Sequence, residues 1–249
     1  MEYNSCVIQY AAEQQIRFYS KTITKGKEVN EKLSKGYKNL NRTEVQKKES
    51  ERISINQTKN RIYSLARANT WEWFITMTFD RKKTDSSDYN TVVKNLTEFI
   101  NNLRINYCSD LVYLIVPELH KDGKHYHFHG LLANTGKLQF KYWNIDSKSK
   151  RPVFNIVQWK LGFTTATRVT DTAKVSAYIT KYITKECCSV IKNKKRYYNS
   201  HNIIRPTKEY TCFSERDFIE LYADKIKYSK SVTVEQAHMR ISYYELDYD

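Results

Sequence analysis

Two neighbouring stretches, Leu111-Val112-Tyr113-Leu114-Ile115-Val116-Pro117-Glu118 and His125-Tyr126-His127-Phe128-His129-Gly130-Leu131-Leu132-Ala133, decide how this chain folds. The first carries a short apolar run, Leu111 to Val116, that reads as a buried strand ended by Pro117. The second reads as a strand over Tyr126 to Ala133. Between them, Asp122-Gly123 supplies a turn, so the two strands are expected to pair as a hairpin. Side chains at i and i+2 of a strand share a face, which puts His127 and His129 together, with His125 on the same side at the strand's mouth. Two imidazoles ~7 Å apart along a strand can close on one divalent ion. Glu118, at the end of the preceding strand, is placed to add an oxygen ligand.

An isolated His-x-His is most often the polar side of a surface hairpin. Here His120, His125, His127 and His129 gather four of the six histidines beside an upstream glutamate, and that concentration shifts the reading to a metal site. His127 and His129 are preferred as ligands because they lie deeper in the strand, while His125 adjoins the turn. The participation of His125 and His120 stays open.

Working outward, Trp71 to Phe79 is rich in aromatic and β-branched residues and reads as a strand closed by Asp80. Tyr89 to Arg104 places Val92, Val93, Leu96, Phe99, Ile100 and Leu103 at helical spacing, with Ser87 or Asp88 as its cap. A further helix is expected over Thr58 to Ala68, leading into the first strand. Downstream, Phe154 to Val157 and Phe163 to Val169 suggest two more strands, and Ala173 to Glu186 a helix. This order predicts an α+β fold on a central, mainly antiparallel sheet of about five strands flanked by helices. The expected division is a basic, partly helical extension over 1–60, a main domain over 61–205, and a C-terminal extension over 206–249 packed on or next to it.

The last of these helices holds Ala177-Tyr178-Ile179-Thr180-Lys181-Tyr182-Ile183-Thr184-Lys185. On a helix, Tyr178, Lys181, Tyr182 and Lys185 occupy i, i+3, i+4 and i+7, one continuous stripe. Val175, Ile179 and Ile183 form an apolar stripe beside it. Tyrosine and lysine stems can simply coat a surface. A phenol can also attack a phosphodiester when a metal polarises the phosphate and a nearby cation holds the developing charge.

The chain has 249 residues, a formal net charge of +15 and 40% hydrophobic residues, which argues for a folded body that attracts polyanions. Twenty tyrosines, 10 phenylalanines and 4 tryptophans among those cations suit stacking on unpaired bases. Arg81, Lys82 and Lys83, and the patch Lys192, Lys194, Lys195 and Arg196, are the expected contacts to nucleic-acid backbone. Five cysteines without a Cys-x-x-Cys pair point to a reducing compartment. No apolar run of membrane-spanning length occurs, and no secretory leader is read at Met1.

Taken in order, Phe74-Ile75-Thr76-Met77-Thr78, His127-Phe128-His129 and Tyr178-x-x-Lys181-Tyr182-x-x-Lys185 resemble the three motifs of HUH endonucleases, the His-hydrophobic-His nucleases that initiate rolling-circle replication. The resemblance spans roughly Ile62 to Arg205. It implies a central antiparallel sheet with the histidines on a middle strand, and Mg²⁺ or Mn²⁺ held by His127, His129 and Glu118. It also implies attack by Tyr178 or Tyr182 on single-stranded origin DNA, expected to carry a hairpin, leaving a 5′-phosphotyrosine, with Lys181 or Lys185 assisting at the phosphate. The tyrosines follow the histidines, the order of replication initiators and the reverse of relaxases. Two tyrosines resemble the initiators of small phages and some plasmids. The absence of Gly-x-x-x-x-Gly-Lys-Ser/Thr leaves unwinding to a host helicase, in a bacterial cytoplasm. The alternatives are a non-catalytic regulator that binds single-stranded nucleic acid and a transposase of the same chemistry.

Overall fold

The computed structural model describes residues 1–11, 13–24, 43–183, 191 and 194–247. They divide into two compact units, one of residues 48–204 and one of residues 1–47 with 205–249.

The larger unit is built on a seven-stranded antiparallel sheet. Its strands are β3 (Trp73–Met77), β4 (Val112–Leu119), β5 (Tyr126–Ala133), β6 (Phe140–Ile145), β7 (Pro152–Ile156), β8 (Thr164–Arg168) and β9 (Tyr198–Asn199), in the order β6-β7-β8-β3-β5-β4-β9. The expected α+β class with an antiparallel sheet is what the chain adopts, with more strands than the five anticipated. Strand β5 lies between β3 and β4, inside the sheet.

Strand alternation sorts the side chains into two cores. Trp73, Ile75, Met77, Tyr126, Phe128 and Leu132 face the helix α2 (Tyr89–Asn106), whose Val92, Leu96, Phe99, Ile100 and Leu103 are buried against them. Asp88, one of the two caps anticipated, starts that helix by accepting the backbone N–H groups of Asn90 and Thr91. On the other face, Val112, Leu114, Val116 and Leu131 bury against α1 (Glu44–Arg67) and α3 (Thr172–Ile179). The odd-numbered residues of β5 therefore look toward α1 and α3, and His127 and His129 are among them.

Four differences from the sequence reading have physical causes. Helix α1 extends well upstream of Thr58; its first half buries only Ile55 and is stabilised by local pairs such as Lys47 with Glu44 and Arg52 with Glu49, so it shows no strong apolar period. Strand β4 does not stop at Pro117 but runs to Leu119. On its outer side β9 pairs only with Leu114 and Ile115, so Pro117 lies where the strand has become an edge and a missing N–H is tolerated. Helix α3 ends at Ile179 and gives way to a 3-10 turn, Thr180–Tyr182. There the Thr180 hydroxyl donates to the carbonyl of Ala177, competing for the helical bonds of a β-branched segment. The remainder of the expected helix, with Lys185, lies outside the described residues.

The smaller unit was not anticipated as a sheet. It is a five-stranded antiparallel sheet in the order β10-β1-β2-β12-β11, made of β1 (Glu2–Gln9), β2 (Glu13–Thr24), β10 (Thr207–Thr211), β11 (Ile226–Val234) and β12 (Met239–Asp247). The two ends of the chain thus pair with each other. Helix α4 (Glu215–Tyr222) covers this sheet by packing Phe218 against Phe18 and Tyr244. No helix of the described residues is long and apolar enough to cross a membrane.

Candidate metal centre and tyrosine turn

The β4–β5 register sets Glu118 directly opposite His127 and Val116 opposite His129. Glu118, His127 and His129 occupy alternate positions on one face, so their tips converge. Nε2 of His127 and Nε2 of His129 are 2.9 Å apart, and each lies 2.8 Å from Oε2 of Glu118. Three donor atoms thus form a nearly equilateral triangle. Ligands on one face of an octahedron around an ion ~2.1 Å away are spaced by about 3.0 Å, so the triangle fits a facial set with three positions left open.

Electrostatics agree. Burial alone would raise the pKa of Glu118, but hydrogen bonds from His127 and His129 and their charge outweigh it and leave the carboxyl at about 2. Burial disfavours the imidazolium of His129 and, aided by His127, lowers its pKa despite Glu118. At neutral pH the site is then an ionised carboxylate beside a neutral imidazole. One proton can bridge only two of three converging lone pairs, whereas a cation engages all three. The donor set alone does not select the metal.

Behind His129, its Nδ1 meets the hydroxyl of Thr76 at 3.0 Å, across the β3–β5 pair in which Thr76 is opposite His129. This contact orients the imidazole from its far side. Sequence reasoning missed it, although a threonine inward of Phe74-Ile75 on an otherwise apolar strand was the available signal. His127 is less well supported; its Nδ1 is buried without a hydrogen bond among the described residues, with the ring of His120 5.3 Å away.

His125 does not join the triangle. Its Nδ1 is 2.7 Å from Asp122 Oδ2, and Asp122 also accepts the backbone N–H groups of Lys124 and His125. Those backbone bonds, with the His125 contact, hold the Asp122 carboxyl well below the usual range. The residue is committed to the turn. His120 is exposed.

The 3-10 turn brings the second tyrosine onto the site. The Tyr182 ring stacks on His129, centroids 3.4 Å apart and planes 13° from parallel. Tyr178 meets Tyr182 edge-on at 5.4 Å, and Phe74 touches both. Burial, then a hydrogen bond with Tyr178, pushes the Tyr182 phenol far above its ordinary value. Tyr178 is 44% exposed, and Lys181 Nζ lies 5.1 Å from its ring centroid. Ile179 and Ile183 seat the turn in the core as the apolar stripe required, with Val175 against them.

The expected backbone-binding cations fall in two places. Arg81, Lys82 and Lys83 follow β3; Arg81 pairs with Asp122 at 2.7 Å and Lys83 reaches the carbonyl of Lys160. Lys194, Lys195 and Arg196 line a groove of about 800 Å³ with Lys94, Tyr89 and Tyr197. Lys194 Nζ is 5.1 Å from the Tyr89 ring centroid, and Arg196 is tied to the hydroxyls of Ser54 and Thr58. Lys192 lies outside the described residues.

Comparison with curated proteins and with solved structures finds no match. Residues 72–187, which hold β3, the Glu118–His127–His129 triangle and both tyrosines, match the model of the family described as Replication-associated protein ORF2, and this similarity supports a replication-initiator family for the chain.

Proposed function

We propose that the chain is a rolling-circle replication initiator of the HUH type, which nicks and rejoins single-stranded origin DNA through a 5′-phosphotyrosine. The observation that carries this reading is the donor triangle of Glu118, His127 and His129 with Tyr182 stacked on one of its imidazoles and Tyr178 next to it. Mg²⁺ or Mn²⁺ held by the triangle would polarise the oxygens of the scissile phosphate and offset its developing charge.

The chain's own residues supply the rest. Tyr178, exposed and beside Lys181, attacks phosphorus first. A Tyr–O–P bond forms, the P–O3′ bond breaks, the phenol proton is lost, and the 3′ oxygen leaves as a hydroxyl after taking a proton. Lys181 favours the phenolate of Tyr178 by charge. Tyr182, whose proton is held by burial, serves the second transfer once the strand has displaced its surroundings. Rejoining reverses the step, with a 3′-hydroxyl attacking the phosphotyrosine and the tyrosine recovering its proton. Unwinding falls to a host helicase, and the DNA partner would present the nick site in a hairpin.

Incubation with single-stranded origin DNA and Mn²⁺, followed by a denaturing gel, tests this reading. A covalent adduct that disappears in Glu118→Ala and in the double variant Tyr178→Phe, Tyr182→Phe supports it. No adduct on any origin sequence, with retained DNA binding, would point instead to the non-catalytic regulator.

A further inference from the structure

Beyond the two tyrosines, on the side away from β4, the face of the sheet opens into a concavity of about 550 Å³. Its floor is formed by Phe74, Thr76, Thr165 and Thr167, with Tyr178 and Tyr182 as one wall. We infer that this concavity receives one unpaired base of the DNA strand, next to the scissile phosphate, and that Thr165 and Thr167 read its edge. The inference rests on the nicking reading above and adds to it the residues that select the sequence.

The placement follows from strand register. β8 pairs with β3 so that Thr165 is opposite Thr76 and Thr167 opposite Phe74, all four on the face that carries His127 and His129. Thr76 belongs to both places: its hydroxyl meets His129 Nδ1, and its side chain lines the concavity. A strand whose phosphate lies at the metal triangle and against Tyr178 therefore has this recess as its next stop. The volume falls within the ordinary range for small-ligand pockets, enough for a nucleotide.

The chemistry of the lining suits a base. Thr165 and Thr167 are half-buried, and among the described residues neither hydroxyl has a hydrogen-bond partner. A hydroxyl both donates and accepts, so two side by side can match the mixed edge of a base. Tyr178 offers an aromatic face for stacking, as single-strand binders do. Cations stand at the rim: Arg151 and Arg168 line the opening, where backbone phosphates would pass. The two carboxylates nearby are already engaged. Asp146 accepts from Lys148 and Ser149, and Asp171 caps α3 and pairs with Lys174 at 3.0 Å. Uncharged groups on the floor and cations at the mouth are the arrangement that holds phosphate outside and base inside.

The test uses the full chain with Mn²⁺ and single-stranded oligonucleotides carrying each base in turn at the two positions on either side of the nick. Adduct formation and equilibrium binding by fluorescence anisotropy are both recorded, for wild type, for Thr165→Val with Thr167→Val, and for Thr165→Ser with Thr167→Ser. We expect wild type to prefer one base at one of these positions, and the valine variant to lose about tenfold of that preference, as two uncharged hydrogen bonds would give. The serine variant keeps it. A valine variant with undiminished preference at every position, or a wild type with none, overturns the assignment. Absence of any adduct from wild type overturns the nicking reading separately, since the binding preference still reports on the recess.

Discussion

The ring of Tyr182 lies flat on the imidazole of His129, 3.4 Å between centroids, so one side chain of the candidate nucleophile pair also packs a candidate metal ligand. The ring and the hydroxyl of Tyr182 thus have separable roles. Tyr182→Phe keeps the stack and should leave the denaturation midpoint and Mn²⁺ affinity near wild type. Tyr182→Ala removes the half-buried ring and should cost ~2 kcal/mol of stability and weaken Mn²⁺ binding. Thermal unfolding and calorimetric titration of the two variants check this; equal losses in both would contradict it.

Thr76 holds Nδ1 of His129 from behind at 3.0 Å. Replacing it by valine preserves shape but removes the hydroxyl. Mn²⁺ affinity should fall by roughly 10–100-fold, the usual effect of losing an outer-sphere partner, with little change in fold. Isothermal titration with circular dichroism on the same sample reads both; unchanged affinity would mean that the imidazole is oriented by packing alone.

The apo protein should lose stability as pH falls. Glu118 has a folded value of about 2 against an ordinary 4.5, and His129 is lowered below 6.5. For both groups the unfolded chain binds more protons within the window, so stability rises with pH there. Their contribution is fully present above the unfolded values and is lost as pH falls through the folded ones, His129 first and Glu118 last. Urea unfolding in chelator, from about pH 7 down to about pH 3, should show this, with a shallower fall in Glu118→Gln below the ordinary glutamate range. A midpoint that rises on acidification would contradict it.

Gly130 follows His129 in β5 with its α-carbon against the α2 core. A Cβ there would stand 2.9 Å from Ile115 Cγ1 and 3.2 Å from Ile75 Cγ1. Gly130→Ala should therefore destabilise by about 1–3 kcal/mol through overpacking. Because the same strand carries both histidines, Mn²⁺ affinity should drop as well. A stability gain in chemical denaturation would show that the two isoleucines can move aside.

Much of the larger unit was readable because its periods are clean. β5 matches its expected range, α2 is found where Val92 to Leu103 repeat at helical spacing, and the Glu118 register with His127 follows from the hairpin. What stayed hidden has local causes. β6 exposes Lys141, Tyr142 and Trp143 and shows no alternation, so no strand was visible. β1 and β2 pair with chain about two hundred residues away or more, at β10 and β12, a relation no local pattern reveals. The turn at Thr180–Tyr182 was masked by a helical Tyr-x-x-Lys repeat that the Thr180 hydroxyl interrupts. At the site, Thr76, Thr165 and Thr167 became visible only once β3 and β8 were placed in register.

Nicking and rejoining require a tyrosine of the 3-10 region to form a bond to DNA beside the metal triangle. Mass spectrometry of proteolytic peptides, after reaction with single-stranded origin DNA in Mn²⁺, measures this directly. The prediction is a nucleotide 5′-phosphate on Tyr178 in wild type, a shift to Tyr182 in Tyr178→Phe, and none in Glu118→Ala. No modified peptide, or a linkage on a tyrosine away from this site such as Tyr89, would contradict it.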